Sequence, residues 1–206
     1  MPKALAPKPQ LVKIKSELAL IPLKEAVMFP RLSVPLVIGE ERSIKALEDT
    51  LKTDSVAFFV ATREAPPPEI KKEHLYEVGT VAKILETVRQ PDGSYRVFIE
   101  GLARAKVKEF LFADPYFKVK IDLLPEPDVK KTEKVEAGMY SAVNLFKESV
   151  NLGATVPFDV LLVIMNITDP WQLADLIAVN MDFKVDEKQA MLESGMKVAV
   201  LDTMEP

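Results

Sequence analysis

Few side chains in this sequence are suited to covalent chemistry. His74 is the only histidine among 206 residues, and there is no cysteine. A histidine-based metal cluster, a thiolate metal site and a serine–histidine nucleophile with a third orienting group are therefore hard to assemble. His74 follows Lys71-Lys72-Glu73, the setting of a solvated loop residue. The carboxylate pairs Glu40/Glu41 and Glu69/Glu73 read as surface solvation and helix-end electrostatics rather than as acid–base dyads. None of the seven glycines is followed by Lys-Ser or Lys-Thr, and no Gly-x-Gly-x-x-Gly run occurs. The usual phosphate-binding loops are thus missing. The sequence predicts no catalytic residue, no cofactor and no metal, and a free-standing hydrolase has only the availability of carboxylates in its favour.

Apolar groups in places that normally carry polar ones point instead to binding chemistry. Met28-Phe29 sits at a turn tip before Pro30, where polar residues are usual. Two large side chains there either fold back onto the core or stay accessible, rimmed by Lys24, Glu25 and Arg31. Phe110-Leu111-Phe112 places three bulky apolar residues in succession on a strand, so they cannot all face one side. Met28, Phe29, Leu32, Phe110 and Phe112 are the candidate contacts for an apolar peptide. The eight methionines are compatible with an adaptable binding surface, although Met139, Met165 and Met191 fall on helix faces that suit a core.

The elements that position these groups follow from periodicity. Tyr76 to Val107 reads as a β-hairpin. Tyr95, Val97 and Ile99 alternate with Arg96, Phe98 and Glu100, and Pro91-Asp92-Gly93 supplies the turn. Gly79 and Gly101 suggest a bulge or sharp bend. Upstream, Leu18 to Val27 and Leu32 to Ile38 read as strands, the second at an edge because Pro35 cannot donate to a ladder. A helix over 40–52 buries Ile44, Leu47 and Leu51. Val56 to Ala61 is a continuous apolar run, hence a buried central strand. Ala65-Pro66-Pro67-Pro68 is a stiff spacer. Strand continues through Phe112, and Tyr116 to Leu124 alternates again.

Past Pro125-Glu126-Pro127 the period changes from 2 to 3.6. Lys131 to Val150 forms a helix with a stripe of Val135, Met139, Ala142, Val143, Phe146 and Val150, closed by Gly153. Pro157 to Met165 is apolar almost all round, which predicts the centre of a helical core. Asp169-Pro170 starts another helix, with Leu173, Leu176 and Ile177 inward. Asp186 and Gln189 resemble a capping box for the last one. The expected fold is therefore α+β: a flexible, Pro- and Lys-rich leader over 1–17, a β-rich part over 18–124 and a helical part over 125–206.

Tyr76-Glu77-Val78-Gly79-Thr80, Pro91-Asp92-Gly93 and Glu100-Gly101-Leu102-Ala103-Arg104-Ala105 together resemble the N-terminal domain of the Lon family of ATP-dependent proteases. Ile21-Pro22-Leu23-Lys24, Phe29-Pro30, Pro35-Leu36 and the stretch from Gly39 to Leu47 extend the likeness upstream. Asp114-Pro115-Tyr116 and Asp169 to Glu193 extend it downstream. The resemblance implies a PUA-like barrel followed by a helical bundle. It implies a non-catalytic part of a bacterial, cytoplasmic protease that recognises unfolded or damaged polypeptides and supports hexamer assembly. Family ATPase and serine–lysine protease centres lie downstream of the matched region, so the chain is expected to be either such a part or a stand-alone relative. After Glu193 the sequence departs from the family, with Gly195 early in the tail and little charge.

The barrel's likeness to RNA-binding domains keeps a second reading open. Lys83, Arg89, Arg96, Arg104, Lys106 and Lys108 lie along the hairpin and its extension and would serve phosphates if they formed one stripe. Acidic residues interleave them, and the net charge of -4 opposes general nucleic-acid binding. No apolar run reaches the roughly 18 residues of a membrane helix.

Overall fold

The computed structural model describes residues 14–63, 69–126, 129, 132–154 and 156–194. The expected leader lies mostly outside these residues, as do the proline spacer and the tail beyond Ser194. Among these residues, six strands and five α-helices run in the order β1 (Glu17–Leu23), β2 (Ser33–Ile38), α1 (Glu41–Leu51), β3 (Val56–Ala61), β4 (Val78–Arg89), β5 (Tyr95–Phe112), β6 (Phe117–Leu123), α2 (Glu133–Asn151), α3 (Phe158–Asn166), α4 (Pro170–Asn180) and α5 (Val185–Ser194). The fold is α+β, as expected.

The strands form one sheet in the order β2-β5-β4-β3-β1-β6, and β5 also pairs with β6. The ladder β5–β4–β3–β1–β6 therefore closes on itself. Length makes this possible. Strand β5 has 18 residues, so its first half pairs with β2 through Ser33↔Glu100 to Ile38↔Tyr95. Its second half pairs with β6 through Ala105↔Leu123 to Phe112↔Lys118. Strand β2 is left hanging from the ring as an edge, the place Pro35 predicts.

Strand β3 is buried at every position because both of its faces are covered. Phe59 belongs to a cluster with Ile21, Leu47, Ile84, Val97 and Ile99. Phe58 and Val60 belong to another with Leu20, Val81, Phe117 and Val119. Each fully buried side chain of phenylalanine or valine size contributes about 1.5–3 kcal/mol, and Val56, Phe58, Phe59 and Val60 in this run are all buried.

The hairpin turn forms as its residues dictate. Gly93 has φ 87°, and Asp92 accepts hydrogen bonds from both the amide and the hydroxyl of Ser94. Gly79 and Gly101 are required by close approach. A Cβ on Gly79 would lie 2.3 Å from the Phe59 carbonyl oxygen, and one on Gly101 would lie 2.3 Å from the Phe29 carbonyl oxygen. The β4–β5 ladder carries two register shifts. Leu102 is the extra residue between Ala82↔Gly101 and Val81↔Ala103, and Leu85 is the extra one between Ile84↔Ile99 and Glu86↔Phe98.

Among the helices, Thr132 accepts from the Val135 amide, Asp169 accepts from the Gln172 amide, and Gly153 takes φ 113°. Ala142, Phe146, Ile164, Leu173 and Ile177 form the cluster of α2, α3 and α4. Two expectations fail here. The segment Phe158–Asn166 is not the centre of this core. Only Ile164 is buried, while Phe158 is 72% exposed and Leu162, Val163 and Met165 are exposed too. An all-apolar helix needs neighbours on every side, and α3 packs mainly on α2 and α4. The Asp186–Gln189 box does not form either. Glu187 caps the Lys184 amide, and the buried Gln189 side-chain amide donates across to the Val78 carbonyl of β4.

Candidate functional site

Of the five residues expected to contact an apolar peptide, two are core. Met28 is 3% exposed and Phe29 1%, the fold-back alternative for that turn. The cause is a set of backbone clamps. Thr80 donates its hydroxyl to the Met28 carbonyl at 2.6 Å, and the Arg31 amide donates to Gly101 O at 2.8 Å. The turn is thus laid flat on β4 and β5. Phe29 packs with Ala178, Met191 and Leu192, and half-buried Leu32 joins the same cluster. At the other end of β5, Phe110 is half-buried edge-on against Phe117. Phe112 is 39% exposed, with Tyr116 at its edge and the Lys118 ammonium near its ring.

A group of exposed apolar side chains gathers elsewhere, on the first half of the hairpin and the edge strand beside it. Directly paired residues share a sheet face. One row reads Val37–Arg96–Val88 and the next Pro35–Phe98–Glu86. Val37, Val88 and Phe98 are exposed, as is Leu85 at the bulge beside them, and Pro35 is exposed on the edge strand. Arg96 stands in the middle of this face and forms no ion pair among the described residues. The sequence signal was available, since Phe98 lies on the polar phase of β5. A second apolar strip, Phe158, Leu162 and Met165, runs along the outside of α3.

The same strand places another arginine in the opposite setting. Arg104 is 4% exposed. Its guanidinium pairs with Glu126 and with Asp175, its Nε donates to the Leu192 carbonyl, and it lies 5.2 Å from the Trp171 ring centroid. Arg31 also pairs with Glu126, and with Asp175 at 3.1 Å. Two arginines and two carboxylates from a turn, a strand, the inter-element link and α4 thus close one ring at the seam between sheet and helices. Burial pushes Asp175 up to about 6, although both arginines pull it down. This ring binds the molecule to itself, and sequence reasoning missed it because its members lie up to 144 residues apart.

Several other polar groups pair within the fold. A cleft of about 780 Å³ beside the ends of β1 and α1 is lined by Lys15, Asp49, Asp54, Tyr116 and Lys118 among others. Lys15 pairs with Asp54, and the Tyr116 hydroxyl donates to Asp49, with burial raising its pKa to about 12. The basic run of the hairpin does not present one free stripe. Arg104 is buried, while Lys106 and Lys108 pair with Glu77 and Asp122. His74 accepts the Lys71 amide at its Nδ1.

Comparison with known proteins bears on this geometry. Residues 17–196 match the family model described as the ATP-dependent protease La (LON) substrate-binding domain. The chain is 36% identical over 185 residues to a Lon protease of Dictyoglomus thermophilum, covering 90% of this chain and 23% of that protein. It is 35% identical over 177 residues to the Lon protease of Escherichia coli, covering 86% of this chain and 22% of that one. The chain therefore spans less than a quarter of the length of these relatives. Among solved structures, the N-terminal domain of Mycobacterium avium complex Lon protease superposes with a TM-score of 0.65 at 17% identity, over 91% of this chain and 94% of that one. A Lon N-terminal domain protein from Xanthomonas campestris gives 0.63 at 15%, over 92% and 97%. These two likenesses concern the fold.

Proposed function

The chain belongs to the family of Lon protease substrate-binding domains, and we propose on that premise that it captures unfolded or damaged polypeptide through the outer face of its central hairpin. One observation carries the reading. Pro35, Val37, Leu85, Val88 and Phe98 lie exposed together on adjacent strands, and an unfolded chain is distinguished by the apolar groups it has not yet buried. A contiguous exposed apolar face with a polar rim marks an interaction surface. Phe112 keeps the exposure this role needs, but at the far end of β5 beside Tyr116 and Lys118 rather than on this face. Met28 and Phe29 support it from beneath by pinning the turn that leads into β2.

Such a site is weak alone. Burying two of these side chains against a client contributes about 3–6 kcal/mol, and association and ordering cost several kcal/mol in return. Useful capture is achieved when copies are linked in a protease hexamer, where effective concentration raises avidity. The reading includes a cytoplasmic setting, no catalytic role for this part, and a division into a client-binding sheet over 18–124 and a helical part over 125–206.

The test compares Phe98→Ser and Phe158→Ser as titrants of reduced, carboxymethylated lactalbumin, with folding checked by circular dichroism. The expected result is a loss of affinity of about five- to tenfold for Phe98→Ser at unchanged stability, with Phe158→Ser close to wild type. A loss confined to Phe158→Ser moves the site to α3, and no loss in either variant removes the hairpin face from the function.

A further inference from the structure

We infer that the free edge of β2 takes a client segment as an added antiparallel strand, so that the client is held by its backbone as well as by its side chains. The inference rests on the hairpin face being the client site, and it names the client class: extended segments with alternating apolar residues, not helices.

The geometry begins with ladder parity. The Gly101 amide donates to the Leu32 carbonyl at 2.9 Å. In an antiparallel pair, hydrogen-bonded and non-bonded pairs alternate. The register Ser33↔Glu100 to Ile38↔Tyr95 therefore makes Val34, Leu36 and Ile38 the residues bonded to β5. Ser33, Pro35 and Val37 turn their backbone groups away from the sheet. Pro35 fits there because its missing N–H would face outward. The edge so formed offers the N–H of Ser33 and of Val37, and the C=O of Ser33, Pro35 and Val37. None of these groups has a hydrogen-bond partner among the described residues.

Two observations select the occupant. The first is size. Six residues at about 3.3 Å each make an edge of about 20 Å, the length of one short strand and too narrow a strip to supply by itself the surface of a stable protein–protein interface. Pro35 also opposes a two-fold β2–β2 pairing, since pairing Ser33 with Val37 of a copy would set two proline carbonyls face to face without a donor. A client strand has an N–H to give to the Pro35 carbonyl. The second is charge. Arg96 lies directly beside Val37 on the same face and has no carboxylate partner, which favours an acidic side chain in a largely apolar client.

Parity then dictates a sharp expectation. Client residues bonded to Ser33, Pro35 and Val37 stand directly opposite them, so their side chains share the face of Pro35, Val37 and Phe98. The residues whose backbone faces β2 are therefore the apolar set of an alternating peptide. The probe is a fluorescein-labelled octapeptide alternating valine with polar residues, with one valine replaced by glutamate so that its carboxylate shares the face of Arg96, made unmethylated, N-methylated on the valines, or N-methylated on the polar residues of the other phase. Fluorescence anisotropy is expected to show a loss of tenfold or more for methylation on the valines and a change within twofold for methylation on the polar residues. Val37→Pro, which removes one outward donor and no bond to β5, is expected to weaken the unmethylated peptide several-fold more than Val37→Thr, which alters the same side chain but keeps the donor. Equal effects of the two methylated peptides, a loss confined to the polar set, or no binding of the unmethylated peptide at millimolar concentration overturns the strand addition. If Phe98→Ser weakens lactalbumin binding while valine methylation has no effect, the client site stands and only its backbone mode fails. If Phe98→Ser changes nothing, the site itself fails.

Discussion

Arg96 and Arg104 lie eight residues apart on one strand, and their surroundings are opposite. Arg96 stands in the open between Val37 and Val88 with no ion pair among the described residues. Arg104 is sealed at the sheet–helix seam by Glu126, Asp175 and the Leu192 carbonyl. Period 2 alone would put residues eight apart on the same face. The extra residue Leu102 in the β4–β5 ladder reverses the parity, as a one-residue slip does. On the N-terminal side of Leu102 the even-numbered side chains of β5 point outward. On its C-terminal side Arg104 points toward the helices. One strand thereby carries both the exposed apolar face and the anchor of the helical part. The same residue type is a solvated cation in one place and an obligatory partner in the other.

The contrast is broken most strongly by deleting each arginine. Arg104→Ala leaves the buried Asp175 and the half-buried Glu126 with only Arg31 between them, and loss of one partner of a buried pair costs about 3–5 kcal/mol. Arg96→Ala removes a solvated group and is expected within about 0.5 kcal/mol of wild type. Urea unfolding of both variants measures the difference, and equal midpoints would contradict the seam's role.

A smaller effect is expected at the bend beside the bulge. Gly101→Ala forces a Cβ to within 2.3 Å of the Phe29 carbonyl oxygen, so the turn over Met28 and Phe29 must shift. The expected destabilisation is about 1–3 kcal/mol, together with an increase in ANS fluorescence as Phe29 is uncovered. Unchanged ANS binding would show that the clamp tolerates the methyl group.

The smallest effect sharpens the comparison through pH. Burial holds Asp175 up to about 6, above its ordinary 3.8. Between these values the folded chain keeps a proton that the unfolded chain has released. This contribution to stability is therefore full below about pH 4 and is lost as pH rises through about 6. Asp175→Asn removes the titration, so its Tm profile between pH 4 and 6 is expected to lack the downward component seen in wild type. Parallel profiles would mean that Asp175 does not titrate in this range.

Local chemistry was legible residue by residue. Pro91-Asp92-Gly93 makes the turn, Asp169 caps α4, Gly153 closes α2, Val56 to Ala61 is buried throughout, and Pro35 lies on an edge. Each depends on φ preference, capping or period over a few neighbouring residues, which the sequence states directly. The resemblance carried by the hairpin residues likewise identified the family from the sequence alone. The candidate face was half legible: Phe98 is visibly out of phase, but Val37, Leu85 and Val88 join it only through strand pairing. What was misjudged depends on distant partners. Met28 and Phe29 are buried because Thr80 and Gly101 clamp their turn, and α3 is exposed because neighbours cover only one side of it. Apolarity determined in advance that these side chains need cover. Which of them receive it was decided by the tertiary structure, because cover comes from segments that are far apart in the chain and meet only in the fold.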